Sequence, residues 1–130
     1  MKQSLALVTL VVDDYDEALD FYVNILGFQL LEDTRLTPDK RWVRVAPRGS
    51  GGCQLLLARA ADPRQLSRVG DQTGGRVAFF LHTDDFDADH ANLLRHGVPI
   101  VQEPRHEPYG RVLVFEDLYG NRWDLIEPAN

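Results

Sequence analysis

An internal repeat of about 70 residues constrains this 130-residue chain more than any other feature. The segment Val12–Ala18 (VDDYDEA) matches the segment Thr83–Asp89 (TDDFDAD), and a helical pattern follows each of them. Further along, CQLL at 53–56 aligns in the same register with WDLI at 123–126. A repeat of this kind is one supersecondary unit used twice, so the two halves are expected to share one fold.

Each half begins with an apolar strand pattern and continues into an amphipathic helix. Residues 5–12 and 76–83 are rich in Val, Leu, Phe and Thr, which is typical of strands buried on both faces. An Asp-Asp pair follows each strand, and a short carboxylate there can cap the first turn of a helix. The helices are expected to end at Gly27 and Gly97, since glycine adopts the left-handed conformation that closes a helix.

Three further strands are predicted after each helix. They cover about 28–36, 41–47 and 53–59 in the first half, and about 98–103, 110–116 and 122–127 in the second. The sequence therefore predicts an α+β fold of two tandem βαβββ modules, at residues 4–60 and 76–128. A polar linker at 61–75 joins them within a single domain of 130 residues.

Composition limits the kinds of binding partner and the cellular compartment that we expect for this protein. A hydrophobic fraction of 44% permits a real core, and a net charge of -6 without clustered Lys and Arg argues against nucleic acid. The single cysteine, Cys53, cannot form an internal disulfide and is expected to be a buried, inert thiol. No apolar stretch reaches the ~20 residues that cross a bilayer. We therefore predict a cytoplasmic protein with no nucleic-acid or membrane partner.

The motifs at both ends of the chain resemble one known superfamily. The opening pattern runs from VVDD at 11–14 through ALDFY at 18–22 to LGF at 26–28, and FED at 115–117 and LIE at 125–127 belong to the closing strands. Together they resemble the glyoxalase/bleomycin-resistance/dioxygenase (vicinal oxygen chelate) superfamily. The resemblance implies curled mixed sheets around a cavity, often completed by a second subunit, so a homodimer is expected.

In that superfamily a divalent metal is typically held by His and Glu side chains on the inner face of the sheets. The resemblance puts the ligand positions of this chain at Leu7, Gln54, Arg76 and Asp124. Leucine cannot ligate a metal, and an arginine charge repels one. No cofactor is therefore expected. A divalent metal would need an unconventional ligand set drawn from Gln54, Asp124 and His82.

Strand alternation selects further candidates in the second half. Arg76, Ala78, Phe80 and His82 are expected to share the inner face of their strand, because successive side chains point to opposite sides. His82 could act as a base, ligand or hydrogen-bond donor, or be a strand-end histidine paired to a helix cap. Arg76 could clamp a substrate carboxylate or form an internal ion pair with Asp124.

Asp124 and Gln54 occupy equivalent positions of the repeat and are expected to face one another across the cavity. Asp124 has apolar neighbours on its strand, so a buried carboxylate there must find a partner. Asp124 and His82 are accordingly the candidates for a catalytic base. Gln54 has a second interpretation, a hydrogen bond to the backbone across a hairpin.

Aromatic and polar groups complete the candidate ligand-binding set. Trp42, Phe80 and Tyr109 could supply flat walls for an aromatic ligand, whereas Phe115 is expected in the core. Residues 103–110 are polar and bracketed by prolines, which predicts a semi-rigid loop at the cavity mouth. Glu107 is a candidate site residue on this loop.

Three functions follow from these features. The first is a binding protein, similar to the bleomycin-resistance branch, that holds a small aromatic or anionic molecule in a cavity between modules or at a dimer interface. The second is a metal-dependent lyase similar to lactoylglutathione lyase, or an extradiol-type dioxygenase, with an atypical ligand set. The third is a metal-free lyase or isomerase that uses His82 or Asp124 as its base.

Overall fold

The computed structural model describes residues 1–49 and 51–130, which form two compact units, Met1–Val69 and Gly70–Asn130. Unit 1 contains β1 (Leu7–Val12), α1 (Tyr15–Leu19) continued by a π-helix (Asp20–Ile25), β2 (Gln29–Thr37), β3 (Lys40–Ala46), β4 (Gln54–Arg59) and α2 (Pro63–Leu66). Unit 2 contains β5 (Val77–His82), α3 (Phe86–Arg95), β6 (Ile100–Glu107), β7 (Gly110–Glu116) and β8 (Arg122–Pro128).

Each unit is built on one open sheet of four strands, and the two sheets have the same topology. Their strand orders are β1-β4-β3-β2 and β5-β8-β7-β6. In both, the first strand pairs in parallel with the last, and the remaining pairs are antiparallel. The predicted α+β fold of two tandem βαβββ modules is therefore confirmed. None of the described helices is long and apolar enough to cross a membrane.

The second aspartate of each Asp-Asp pair begins the helix that follows. The Asp14 carboxylate accepts from the Glu17 backbone N–H at 2.8 Å, and the Asp85 carboxylate accepts from Ala88 at 3.2 Å. Each bond satisfies one of the amide donors that a helix start leaves without a backbone partner. The repeated motif is thus a repeated helix start.

The first helix differs from the prediction of one continuous α-helix up to Gly27. It changes after Leu19 to a π-helix, in which the Leu26 N–H bonds the Phe21 carbonyl five residues earlier at 2.9 Å. Phe21 and Tyr22 are both buried, with their rings edge to face at 5.2 Å. The wider turn brings both neighbouring aromatic residues into the core.

One face of each sheet is identified by an arginine that reaches its helix. In unit 1, Arg41 on β3 donates two hydrogen bonds to Asp33, at 2.7 and 3.0 Å, and one to Asp16 in α1 at 2.9 Å. Its guanidinium also lies 5.0 Å from the centre of the Tyr15 ring. This side chain therefore joins β3, β2 and α1.

Unit 2 repeats the contact with Arg111 on β7. Arg111 donates to Asp87 in α3 at 2.8 Å, and its guanidinium lies 4.4 Å from the centre of the Phe86 ring. The side of each sheet that carries these arginines packs against α1 or α3. The opposite side is called here the helix-free face of the unit.

The predicted loop at 103–110 is wrong. Strand β6 continues to Glu107, and only Pro108 and Tyr109 form the turn to β7. Register shifts between Ile100 and Gln102 and between Gln102 and Arg105 interrupt the pairing. Proline is tolerated in an edge strand at such irregularities, because its missing N–H is not needed there.

Two single-residue predictions have opposite outcomes. Phe115 is fully buried on β7 and stacks on Trp123 at 5.9 Å, so its predicted place in the core is confirmed. Cys53, predicted to be buried, is exposed. It precedes β4, whereas Trp123, its equivalent in the repeat, lies within β8 and is buried.

Candidate functional site

A chain of hydrogen bonds crosses the helix-free face of unit 1 at Gln54. Arg44 on β3 donates from Nη1 to the Gln54 Oε1 at 2.5 Å and from Nε to the Glu32 Oε1 at 3.1 Å. Thr34 donates to the other Glu32 oxygen at 2.9 Å. Hydrogen bonds from Thr34 and Arg44 hold the pKa of Glu32 below its ordinary value. The Gln54 oxygen thus already accepts from a cation whose charge Glu32 offsets.

These residues do not fit the metal site that the resemblance implies. Leu7 lies directly beside Gln54 in the register of β1 and β4 and offers no donor atom. The Arg44 guanidinium occupies the side of Gln54 where a cation would bind, and like charges repel. Across residues 1–49 and 51–130, no three His, Cys, Asp or Glu side chains group as metal ligands.

The helix-free face of unit 2 centres on the Asp124 carboxylate. Asp124 is 9% exposed and lies between Phe80 on β5 and Val114 on β7 in the register of the sheet. Burial raises the pKa of Asp124, and the attraction of Arg105 only partly offsets this. Within the described part of the chain, no side chain or backbone N–H donates to this carboxylate.

Arg105 is the cation that attracts the Asp124 carboxylate, but its own hydrogen bonds go to other residues. It donates from Nε to Glu107 at 2.9 Å and from Nη1 to Gln102 at 2.8 Å, all on β6. The hydrogen bond to Glu107 raises the pKa of Arg105. Glu107, predicted as a loop residue at the cavity mouth, instead pairs with Arg105 on a strand and belongs to the helix-free face.

The two units differ at this position in the residue on the neighbouring strand and in the register, since Arg44 lies opposite Leu56 and Val114 lies opposite Asp124. Gln54 and Asp124 are equivalent in the repeat, and so are Arg44 and Val114. In unit 1 the arginine satisfies the amide, whereas in unit 2 a buried valine offers the carboxylate no donor. The same fold therefore carries a bonded polar network in one unit and an acid without a donor among the described residues in the other.

The other sequence candidates are spread over the two units. Phe80 pairs with Asp124 in the register of β5 and β8, and His82 pairs with Ile126, so all four side chains lie on one face. Phe80 is 64% exposed, and His82 is also exposed. Trp42 is half-buried on the helix-free face of unit 1, and Tyr109 is exposed in the turn after β6. The expectation that Gln54 and Asp124 face one another stays a prediction.

Arg76 lies outside the strand on which it was predicted. Strand β5 begins at Val77, and Arg76 is exposed. The register also shifts between Val77 and Phe79, where β5 has one residue more than β8. An extra residue of this kind breaks simple alternation, so the face of Arg76 cannot be read from that of Phe80.

Sequence reasoning missed Arg44, Glu32 and Arg105. Arg44 lies two residues after Trp42 on the same strand, so alternation already placed both on one face. Comparison of Arg44 with Val114 across the repeat would have shown that the two units differ beside Gln54 and Asp124. Arg105 gave no such signal, because its segment was interpreted as a loop.

Comparison with known proteins supports one assignment. Residues 4–125 match the Glyoxalase/Bleomycin resistance protein/Dioxygenase superfamily. An uncharacterized protein of Shewanella frigidimarina is 56% identical over 128 residues, with 98% of this chain and 95% of the relative covered.

Two solved structures from Streptomyces sp. CB03234 are similar in fold and sequence. TnmS3, an antibiotic binding protein, is 34% identical with a TM-score of 0.78, and the match covers 99% of this chain and 98% of TnmS3. A glyoxalase/bleomycin resistance protein is 36% identical with a TM-score of 0.75, covering 95% of this chain and 100% of that protein. The chain therefore belongs to the glyoxalase/bleomycin resistance protein/dioxygenase superfamily.

Proposed function

We propose that this protein binds a small aromatic molecule and does so without the metal of its superfamily. The observation that carries the proposal is the 2.5 Å hydrogen bond from Arg44 to Gln54. It places a fixed positive charge at a position where metal-dependent relatives are expected to have a ligand. A site with this residue set is better suited to an organic molecule than to a divalent ion.

The helix-free face of unit 2 has the composition of a small-molecule site. Such sites combine apolar and aromatic surface with a few polar groups that orient the ligand. Here Val112, Val114 and Phe80 supply the apolar surface, and Asp124 supplies the polar group. The anionic alternative depended on Arg76, which lies exposed before β5, so we favour an aromatic ligand without net negative charge.

The similarity to TnmS3 supports a binding role. TnmS3 is described as an antibiotic binding protein and matches this chain along nearly its whole length. Binding, with no conversion of the ligand, is accordingly proposed for this chain as well. A homodimer, with the protein in the cytoplasm, completes the proposal.

Elemental analysis and ligand screening test this function together. Protein purified without chelator is expected to contain less than stoichiometric divalent metal, and added Zn²⁺, Ni²⁺ or Fe²⁺ should leave the Tm unchanged. A thermal-shift screen of aromatic compounds, followed by mass spectrometry, should find ligands that bind and are recovered unaltered. Trp42→Ala and Phe80→Ala variants show which unit is responsible.

Two results would reject the proposal. One is a stoichiometric divalent ion whose binding is lost in Asp124→Ala, which would favour the metal-dependent lyase or dioxygenase. The other is recovery of a chemically altered ligand from metal-free protein, which would favour catalysis by Asp124 or His82.

A further inference from the structure

We infer that the helix-free face of unit 2 recognises the protonated amine of an aromatic ligand, with the Asp124 carboxylate as acceptor and the Phe80 ring beside it. This inference rests on the proposed binding function and names the chemical class of the ligand. It also assigns the recognition to one unit and to two side chains.

The Asp124 carboxylate has no donor within the described part of the protein. More than nine-tenths of this residue is buried, and no donor among the described residues reaches its side chain. The Asp124 oxygens are not among the fully buried polar atoms without a partner, so they are open to solvent, while burial of the rest of the residue raises the cost of the charge. A ligand ammonium would supply both the missing donor and the opposite charge.

An exposed aromatic ring lies next to this carboxylate on the neighbouring strand. Phe80 is the register partner of Asp124 on the parallel strand β5 and is 64% exposed. An aromatic face attracts a cation through its quadrupole and offers a flat surface for stacking. A carboxylate and an aromatic ring side by side suit a ligand with an amine attached to an aromatic system.

The charges on the helix-free face of unit 2 also favour a cation. Arg105 is paired with Glu107 at 2.9 Å, and Arg122 lies opposite Glu116 in the register of β7 and β8. The charges within each pair offset one another, so Asp124 leaves these residues with a net negative charge. Val112 and Val114 are buried on the same face as Asp124, and apolar neighbours lower the local dielectric, which strengthens the attraction of the carboxylate for a cation.

In unit 1 the equivalent residue, Gln54, already has a hydrogen-bond donor from the protein itself. There the Gln54 oxygen accepts from Arg44, and Glu32 balances the Arg44 charge. Both units have the same strand order, but Arg44 lies opposite Leu56 in unit 1, whereas Val114 lies opposite Asp124 in unit 2, so register and side chains both distinguish the two positions. The amine is therefore assigned to unit 2 alone.

Three naphthalene probes of nearly equal shape test the inference. They are 1-naphthylmethylamine, which is a cation at pH 7, neutral 1-naphthylmethanol and anionic 1-naphthoate. Each is titrated into the full chain and followed by backbone amide chemical shifts. We expect the amine to bind at least about 10-fold more tightly than the other two, as a charge-assisted hydrogen bond would give. The largest shifts should fall on β5 and β8.

Two variants and a matched control locate the effect. Asp124→Asn keeps the shape of the side chain and should reduce the affinity for the amine to that for the alcohol. Phe80→Leu changes an exposed residue that folding does not require and should weaken the amine several-fold. Asp39→Asn makes the same charge change in the exposed β2–β3 turn and should leave all three affinities unchanged.

Equal binding of the three probes, or an unchanged amine affinity in Asp124→Asn, overturns the inference and leaves the proposed binding function intact. Shifts confined to β3 and β4 overturn the assignment to unit 2. Absence of binding by every probe also overturns the inference. The proposed function is then judged separately by the metal analysis and the broader ligand screen.

Discussion

The Asp124 carboxylate makes the folded protein less stable than an uncharged side chain would at the same place. Burial raises its pKa above the ordinary value of 3.8, so the folded chain holds this proton more tightly than the unfolded chain does. By linkage, this residue lowers stability as the pH rises from about 4 through the raised pKa. Below the ordinary pKa the penalty disappears.

Asp124→Asn should therefore raise the Tm at pH 7 by about 1 to 5 °C. The gain should shrink as the pH falls and be absent near pH 3, where both forms of the side chain are neutral. Thermal unfolding followed by circular dichroism between pH 3 and 8 measures it, with Asp39→Asn as the exposed control. A Tm that falls at pH 7 would show that the carboxylate stabilises the fold.

Gly70 is held where no other residue fits. Its φ is +77°, and an added Cβ would lie 2.0 Å from the Tyr119 carbonyl oxygen. Gly74 has a similar φ of +69° but open space around its Cβ position, which makes it a matched control. We expect Gly74→Ala to cost about 1 kcal/mol and Gly70→Ala about 3 kcal/mol or more, measured by urea unfolding. Equal losses would contradict the steric explanation.

At the scale of elements, Arg41 is the side chain that ties α1, β2 and β3 together. Its hydrogen bonds lower the pKa of Asp33, so this pair stabilises the fold above the ordinary Asp pKa. That contribution is lost as the pH falls through the lowered value. Arg111 makes the equivalent contact in unit 2 with one carboxylate, Asp87.

Arg41→Gln should destabilise the protein by about 1 to 2 kcal/mol at neutral pH, because the bidentate contact with Asp33 and the contact with Asp16 are lost together. Arg111→Gln should cost about half of that, since Asp87 is highly exposed. The difference between the two variants should shrink as the pH falls through the lowered pKa of Asp33. Urea unfolding at pH 7 and pH 2 measures it, and a pH-independent difference would mean that packing on Tyr15 dominates.

The sequence predicted the order and type of the elements well, because each half repeats the same periodicities and turns. The errors lie where local chemistry departs from a regular period. Neighbouring Phe21 and Tyr22 widen the first helix, and an extra residue between Val77 and Phe79 shifts β5. Pro104 suggested a loop, although an irregular edge strand accommodates it. Hydrophobic periodicity contains no signal for a single inserted residue.

The candidate site was only partly predictable for a related reason. Asp124, Phe80 and His82 were placed on one face correctly because β5 and β8 are regular at those positions. The hydrogen bonds of Arg44 depend on which side chains meet across neighbouring strands, and a single sequence does not give that register. The repeat gave the position of Gln54 but not its partner.

At the scale of the whole molecule, the open sheets leave edges that could pair or pack with a second copy. In unit 1 the edge strand β2 carries exposed leucines, including Leu31 and Leu36. Exposed apolar side chains on an edge strand are a common basis of self-association. We expect a homodimer in sedimentation equilibrium, weakened by Leu36→Lys and not by Leu66→Lys on α2. A monomeric protein at micromolar concentration would contradict this.

The contrast between Arg44 and Val114 also bears on how such a protein changes over generations. The two units have the same strand order but carry different side chains at equivalent positions of the repeat, Arg44 in one and Val114 in the other. Val114 offers no hydrogen bond to Asp124, whereas an arginine at this position would donate to the carboxylate, as Arg44 donates to Gln54. A few nucleotide changes in one codon could thus switch the chemical preference of half the molecule without disturbing its scaffold.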